Sequence, residues 1–336
     1  MKKLYLEFLL VFLLIIISFG MIFDMLGLNH ETRSVSVFGV NKGEYIKWVD
    51  FNVPLEVLSK AYKHDIESYG KDVELNWVEL IAYTAAKTWG TFENNPLEEM
   101  SLLVEKLNSG ENIHDITENL ELYPYYIEAY RAVLSGFVGE YEIIDGDRVI
   151  RKYGLKAFSP IARGYGFSHY DDFGNARSYG YKRKHLGNDL IGGVGTPIVS
   201  VEDGYIEALG WNQYGGWRIG IRSLDGKRYY YYAHLRKDHP FVKTLKEGDR
   251  VQAGEVIGYL GMTGYSRKEN VNNIQMPHLH FGLQLIFDES QKDGVNQIWI
   301  DVYTLIRFLE KNRMPVHKGT DGDFESSFKF NSIIVD

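Results

Sequence analysis

Glycine is distributed very unevenly along this chain of 336 residues. Of its 34 glycines, 7 lie within residues 1–135 and the other 27 lie beyond residue 135. Glycine weakens helices and is favoured in tight turns, so this distribution predicts helices in the first part and short strands joined by turns in the second. The length also allows two folded units, and we place their boundary near residue 148.

The first part has the periodicity of amphipathic helices. Apolar residues recur at i, i+3 and i+4 in residues 73–87, 97–107 and 125–137. Residues 112–120 indicate a further short helix. These segments predict a small helical domain over residues 53–139, inside a helical region that extends from residue 25 to residue 148.

After residue 148 the sequence changes to short runs of β-branched and aromatic residues separated by glycine. The runs cover residues 197–201, 205–209, 217–223, 228–234, 256–260 and 278–285. Short strands at this spacing are typical of an all-β sandwich or barrel, and Asp225-Gly226 favours a hairpin turn between two of them. We therefore expect a mainly β catalytic domain, an antiparallel sheet or barrel-like sandwich, over residues 149–314. A closing helix at 302–311 and a polar C-terminal tail at 315–336 complete the prediction.

The N-terminus continues from Met-Lys-Lys into an apolar run over residues 8–23. A helix of about 20 apolar residues spans a bilayer, and a slightly shorter run is met by thinning of the bilayer. Lys2 and Lys3 favour a cytoplasmic N-terminus, so the run predicts a single-pass transmembrane helix over residues 1–24 with the rest of the chain outside the cell membrane. A cleaved signal peptide is the alternative, although no Ala-x-Ala-like site follows the run.

Composition limits the partners and the available chemistry. The chain has 37 Lys and Arg against 45 Asp and Glu, a net charge of −8. This leaves no basic excess for phosphate groups, and we expect no nucleic-acid partner. Because there is no cysteine, any metal must be held by His, Asp or Glu.

Four of the ten histidines lie in three short motifs of the β region. His185 precedes Asp189 across a glycine, His234 follows a run of four tyrosines, and His278 and His280 alternate with apolar residues. Alternate residues of a strand project from the same face, so His278 and His280 point together. Two half-exposed histidines on a polar sheet face are the simpler interpretation, but the two accompanying motifs favour a metal site.

A catalytic zinc ion has three protein ligands and one open position for water. His185, Asp189 and one histidine of the pair would complete such a set, so zinc is the expected cofactor. Zinc lowers the pKa of a bound water to about 7, which makes it a nucleophile at neutral pH. The remaining histidines are then available to transfer protons or to stabilise negative charge.

The three motifs, HLGND at 185–189, YAHL at 232–235 and PHLHF at 277–281, resemble those of the LytM/lysostaphin-type zinc metallopeptidases, the M23 peptidase family. The glycines between the motifs match as well. The resemblance covers residues 160–285 and does not extend to residues 24–150. One departure is a long segment ahead of the first motif, residues 165–184, which could form a wall of the substrate cleft or partly cover it.

The resemblance implies a role for each motif residue. His185, Asp189 and His280 would ligate zinc, and His278 would act as general base on the water. His234 would polarise the substrate or stabilise the tetrahedral intermediate. All five residues are present, so nothing in the motifs indicates a dead enzyme.

The family hydrolyses peptide bonds of bacterial cell-wall peptidoglycan, in stem peptides or cross-bridges. The resemblance therefore implies a membrane-anchored zinc metalloendopeptidase whose active site faces the wall. The alternative from another class is a catalytically silent scaffold of the same fold that binds a partner protein in an extracytoplasmic or intermembrane space. A third hypothesis is an enzyme that becomes active only after the helical region or residues 165–184 are displaced.

Overall fold

Six α-helices are present in the part of the chain that the computed structural model describes, residues 45–178 and 182–333. In chain order, α1 to α6 are Leu55–Ser68, Trp77–Lys87, Pro96–Asn108, Ile113–Thr117, Tyr123–Leu134 and Tyr303–Leu309. The helical segments predicted from periodicity correspond to α2 to α6, whereas no separate helix was predicted at α1. Helix α2 begins four residues later than predicted because the Asn76 side chain caps it, accepting the N–H groups of Val78 and Glu79.

None of these six helices has the length and apolar character that crossing a bilayer requires. The transmembrane helix or signal peptide predicted at residues 1–24 lies outside the described residues.

Strands make up most of the remaining regular structure. In chain order, β1 to β17 are Val138–Asp145, Arg148–Leu155, Phe167–Ser168, Ala176–Ser178, Lys182–Lys184, Asn188–Gly192, Pro197–Val199, Gly204–Asn212, Gly216–Ser223, Arg228–Ala233, Arg250–Val251, Val256–Tyr259, His278–Leu285, Ile298–Ile300, Val316–Lys318, Phe324–Ser326 and Lys329–Ser332. The mainly β character predicted for this part of the chain is confirmed. Each of the six predicted strands overlaps one in the structure.

The largest sheet has eight strands and contains both strands that carry site residues. Its order is β11-β8-β9-β10-β13-β6-β3, with β14 also paired to β13. All of its pairs are antiparallel, and β9 and β10 form the hairpin predicted at Asp225-Gly226. Strand β13 lies between β10 and β6, so its residues meet neighbours on both sides.

The C-terminal residues differ from the polar tail predicted at 315–336. Residues up to 332 form β15, β16 and β17, and β17 pairs with β1 in the register Tyr141↔Ser332. Phe330 is 3% exposed and packs against Phe158 and Tyr141. The polar composition of this segment reflects the exposed face of short strands, whereas Phe330 is buried and Val316, Phe324 and Phe328 are half-buried.

The helices and the strands share one hydrophobic core, in contrast to the separate helical and β domains expected from the sequence. The core cluster runs from Ile46 to Leu309, and the described residues from Tyr45 onward belong to one compact unit. Trp77 of α2 stacks on Phe308 of α6 at 5.7 Å between ring centroids. The β1–β2 hairpin crosses the predicted boundary at residue 148, because Gly146 allows a tight turn at φ 59°.

Candidate active site

Neighbouring strands bring two of the predicted ligands together. Strands β6 and β13 are antiparallel, and their register places Asp189 directly opposite His280. His185 lies just ahead of β6, and its backbone N–H donates to the carbonyl of Asn175 at 2.9 Å. Gly187 lies close to the next strand, since a Cβ there would be 2.8 Å from His280 Nε2 and 2.6 Å from the Phe281 carbonyl oxygen. The glycine of the first motif therefore permits the close approach that the site needs.

The three predicted ligands converge on one point. His185 Nε2 lies 3.0 Å from Asp189 Oδ1 and 3.0 Å from His280 Nδ1. His280 Nδ1 lies 2.9 Å from Asp189 Oδ1. These atoms form a nearly equilateral triangle, and they are a group with the geometry to hold a metal ion.

The donor chemistry of this triangle fits a divalent cation. Two groups compete for Nδ1 of His185: the Asp172 carboxylate, an acceptor, at 3.0 Å, and the Arg177 guanidinium, which only donates, at 3.3 Å. The carboxylate contact is the shorter of the two and needs a proton on Nδ1, which leaves Nε2 for a metal. A proton on one ring nitrogen can make a hydrogen bond along only one side of the triangle. A cation at the centre would interact favourably with all three atoms. Zinc with ligands at 2.0–2.1 Å in tetrahedral geometry sets its ligand atoms about 3.3 Å apart, close to the observed spacing.

The electrostatics of the triangle also favour a positive charge there. Burial lowers the pKa of His185, but the hydrogen bond and charge of Asp189, with the charge of Asp172, outweigh burial and raise that pKa. Burial raises the pKa of Asp189, yet hydrogen bonds with His185 and His280 hold it well below its ordinary value. Burial lowers the pKa of His280, against the opposing effect of Asp189. The aspartate is therefore ionised at neutral pH, as a metal ligand must be.

The two remaining histidines of the motifs lie beside the triangle. His278 Nε2 is 3.7 Å from Asp189 Oδ1, and the His234 ring centroid lies 4.8 Å from that of His278. Nδ1 of His278 donates to the carbonyl of Met276 at 2.8 Å, and Nδ1 of His234 donates to the carbonyl of Thr263 at 2.9 Å. Because carbonyl oxygens only accept, Nδ1 carries a proton in both rings, and Nε2 is the nitrogen available to accept one.

His234 has an unusual backbone conformation and a buried ring. Its φ is 63°, in the left-handed region, and its N–H donates to the carbonyl of Gly215 at 2.7 Å. This turn at the end of β10 directs the ring toward His278 and His280. Burial, with the charges of His278 and His280, holds the pKa of His234 well below its ordinary value. The ring is therefore neutral in the free protein.

The structure thus brings all five sequence-predicted site residues together, and it adds two that the motifs do not contain. Asp172 and Arg177 belong to the long segment ahead of His185, and the Arg177 guanidinium donates to the carboxylate of Asp172. Arg183 of the same segment lies over the ring of Tyr265, 5.0 Å from its centroid, and Tyr265 in turn contacts His234. The segment therefore contacts both sides of the site. No spacing rule in the sequence identifies these contacts.

A group of two histidines and an aspartate that could hold a metal ion, with further histidines next to it, is the arrangement that metal-dependent hydrolases use. Residues 183–295 match the family model described as Peptidase family M23. Residues 183–295 are therefore similar to the M23 peptidases, and the predicted resemblance to LytM/lysostaphin-type peptidases is confirmed.

Curated relatives agree with this assignment. The L-Ala–D-Glu endopeptidase of Bacillus subtilis is 37% identical over 43% of this chain and 41% of its own length. Glycyl-glycine endopeptidase ALE-1 of Staphylococcus capitis is 43% identical over 29% of this chain and 24% of its own. Peptidoglycan DD-endopeptidase ShyC of Vibrio cholerae is 34% identical over 30% of this chain and 20% of its own. The chain spans less than half the length of each of these relatives.

Proposed function

We propose that this protein is a zinc metalloendopeptidase that hydrolyses peptide bonds of bacterial peptidoglycan, in stem peptides or cross-bridges. The observation that carries the proposal is the convergence of His185, Asp189 and His280 on one point, with His278 and His234 next to it. The names of the M23 relatives support the substrate class, since one of them is a peptidoglycan endopeptidase. These names specify three different bonds, so the proposal stays at the level of the substrate class.

The proposed ligands are His185, Asp189 and His280. A zinc ion held by them would lower the pKa of a water molecule in its open position to about 7 and polarise the scissile carbonyl. The hydrogen bonds of the chain prepare this ligand set: Asp172 keeps the proton of His185 on Nδ1, away from the metal.

His278 is the proposed general base. The Met276 carbonyl fixes its proton on Nδ1, so Nε2 can accept a proton on the side of the site where Asp189 lies. A base in this position takes the proton of the attacking water and passes it to the leaving amine.

His234 is the proposed stabiliser of the tetrahedral intermediate. Its Nε2 is an acceptor in the free protein, so the ring acts on an anionic oxygen only after Nε2 gains a proton. Negative charge developing on the substrate favours that protonation, because an opposite charge nearby raises the pKa of an imidazole. The buried position strengthens this interaction when it forms.

A peptidoglycan substrate also implies a location outside the cytoplasm. The apolar run at residues 8–23 and the lysines before it support a single-pass anchor, and this remains a proposal from the sequence. A silent scaffold that binds a partner protein is the less favoured alternative, because the proposed ligands and both proton-accepting histidines are in place.

Turbidity loss of purified cell-wall sacculi tests the proposal, with the full-length chain and two matched variants of the HxH motif. We expect His278→Ala to keep stoichiometric zinc and to lose activity by about 10²–10⁴-fold, the usual contribution of a general base. We expect His280→Ala to lose both the zinc and the activity, because one ligand is removed. Zinc content is measured by elemental analysis after gel filtration.

The two variants distinguish a wrong ligand assignment from a protein that binds zinc but has no hydrolase activity. Full zinc retention in His280→Ala would contradict the ligand assignment. Zinc binding by the wild-type chain without any turbidity loss, on walls of several cross-link types, would instead favour the scaffold.

A further inference from the structure

Asp172 of the long segment ahead of the first motif contacts the candidate metal site, although it lies outside residues 183–295, which match the family model. We propose that Asp172 is a positioning residue for the metal: its carboxylate holds the proton of His185 on Nδ1 and thereby presents Nε2 to the metal. This inference rests on the metal site of the proposed function.

The position of Asp172 relative to the His185 ring supports this role. Asp172 Oδ1 lies 3.0 Å from Nδ1, whereas Asp189 and His280 contact Nε2 on the other side of the ring. The imidazole therefore separates Asp172 from the triangle, and Asp172 is not itself a ligand. A ring nitrogen binds a metal only when it is unprotonated, and the hydrogen bond at the other nitrogen decides which one that is.

Arg177 holds the Asp172 carboxylate in place. Its Nη2 donates to Asp172 Oδ2, while Oδ1 of the same carboxylate is used by His185. The same guanidinium lies 3.7 Å from Asp189 Oδ2. Arg177 thus links the carboxylate of Asp172, which orients His185, to the carboxylate of Asp189, a proposed ligand.

The backbone fixes the segment to the residue that it orients. The N–H of Gly174 donates to the carbonyl of His185 at 2.7 Å, and the N–H of His185 donates to the carbonyl of Asn175 at 2.9 Å. Asp172 and Arg177 lie on either side of this two-bond contact. The side-chain contact to the His185 ring is therefore built on a rigid backbone connection, as accurate placement of a ligand requires.

Zinc affinity of the full-length chain, measured by competition with a chelator, tests the role. We expect Asp172→Ala to weaken zinc binding about 10–100-fold, the usual effect of removing such a partner of a metal-bound histidine. Asp172→Asn keeps an oxygen acceptor for Nδ1–H and should lose less. The matched control is Asp171→Asn, which removes the adjacent carboxyl group without a contact to His185 and should bind zinc as the wild type does.

A second measurement does not depend on zinc or on activity. Long-range ¹H–¹⁵N NMR of the metal-free protein, at a pH where the ring is neutral, reports which nitrogen of His185 is protonated. His185→Gln assigns the signal. We expect Nδ1–H in the wild type and a shift toward Nε2–H in Asp172→Ala.

The outcomes distinguish the inference from the function on which it rests. Unchanged zinc affinity in Asp172→Ala, or an Nε2–H tautomer in the wild-type protein, overturns the positioning role and leaves the hydrolase intact. Absence of zinc binding in the wild type overturns the proposed metal site, and the tautomer of His185 then still decides whether Asp172 controls that ring. If Asp172→Ala does not fold, the tautomer of His185 in the wild-type protein and the zinc affinity of Asp172→Asn test the positioning role instead.

Discussion

Asp301 lies two residues before α6, and its carboxyl group is in an environment that disfavours its charge. Burial, together with the neighbouring carboxyl groups of Asp171 and Asp172, raises the pKa of Asp301 to about 6, against the opposing hydrogen bond from the N–H of Tyr303. That hydrogen bond, at 2.8 Å, is made by the first residue of α6. Asp301 therefore lies close to the segment that positions His185, without contacting the ligands themselves.

This raised pKa predicts a pH-dependent cost to stability. Between the ordinary carboxyl value of 3.8 and about 6, the unfolded chain releases its proton while the folded chain keeps it. The folded state then binds more protons, so the contribution of Asp301 to stability falls as pH rises through this range and stays low above it. The amide in Asp301→Asn does not ionise, and we expect the stability of this variant relative to wild type to increase from pH 4 to pH 6 and then to level off.

Urea unfolding of the two proteins at pH 4, 5, 6 and 7 measures this difference. A difference in the free energy of unfolding that stays constant across the four values would contradict the prediction.

At the scale of single elements, β17 is the least expected part of the fold. It pairs with β1, and its Phe330 ring stacks on Tyr141 at 4.6 Å and meets Phe158 edge-on at 5.1 Å between centroids. Because these contacts are buried, the C-terminal strands contribute to the stability of the β1–β2 hairpin.

We expect Phe330→Ala to lower the free energy of unfolding by about 3–5 kcal/mol, since it removes a buried ring and leaves a cavity. Lys329→Ala, at the exposed neighbouring position, should change stability by no more than about 0.5 kcal/mol. Chemical denaturation of the full-length chain measures both. Equal, small effects for the two variants would indicate that the C-terminal residues behave as the polar tail expected from composition.

At the scale of the whole molecule, one buried arginine joins the helices to the sheet. Arg228 of β10 donates to Glu202 at 2.8 Å, to Asp225 at 2.9 Å and to the carbonyl of Ala132 in α5 at 2.7 Å. The side chains of Arg228 and Glu202 are 3% and 5% exposed. The space is so limited that a Cβ at Gly136 would lie 2.0 Å from Glu202 Oε2. The helical residues therefore complete the burial of a charge that originates in the sheet.

Removal of Arg228 should destabilise the helices and the sheet together. We expect Arg228→Met to cost about 3–5 kcal/mol, because it leaves the Glu202 carboxylate buried and unpaired. The double variant Arg228→Met with Glu202→Gln should lose less stability, since the isolated charge is gone.

Far-UV circular dichroism and tryptophan fluorescence follow unfolding, and we expect their transitions to coincide in the wild type. Separate transitions there would show that the helices and the sheet fold independently.

Much of the site could be predicted because its chemistry follows local patterns. The period of two places His278 and His280 on one face of β13, and the helices and strands follow from apolar spacing and glycine. The ligand set and the individual roles came from the resemblance of the motifs to a family. The structure adds the convergence of the five side chains, and the metal itself stays a prediction.

The sequence by itself determined five of the six described helices, six of the described strands and the candidate site residues, because these follow from side chains close together in the chain. Only the tertiary structure placed Asp172 against His185, β17 beside β1, and Arg228 under α5. These contacts join segments through two backbone hydrogen bonds between residues 174–175 and 185, a distant strand pairing and a shared core. Their partners are selected by packing and by the burial of charge in three dimensions, for which spacing along the chain provides no signal.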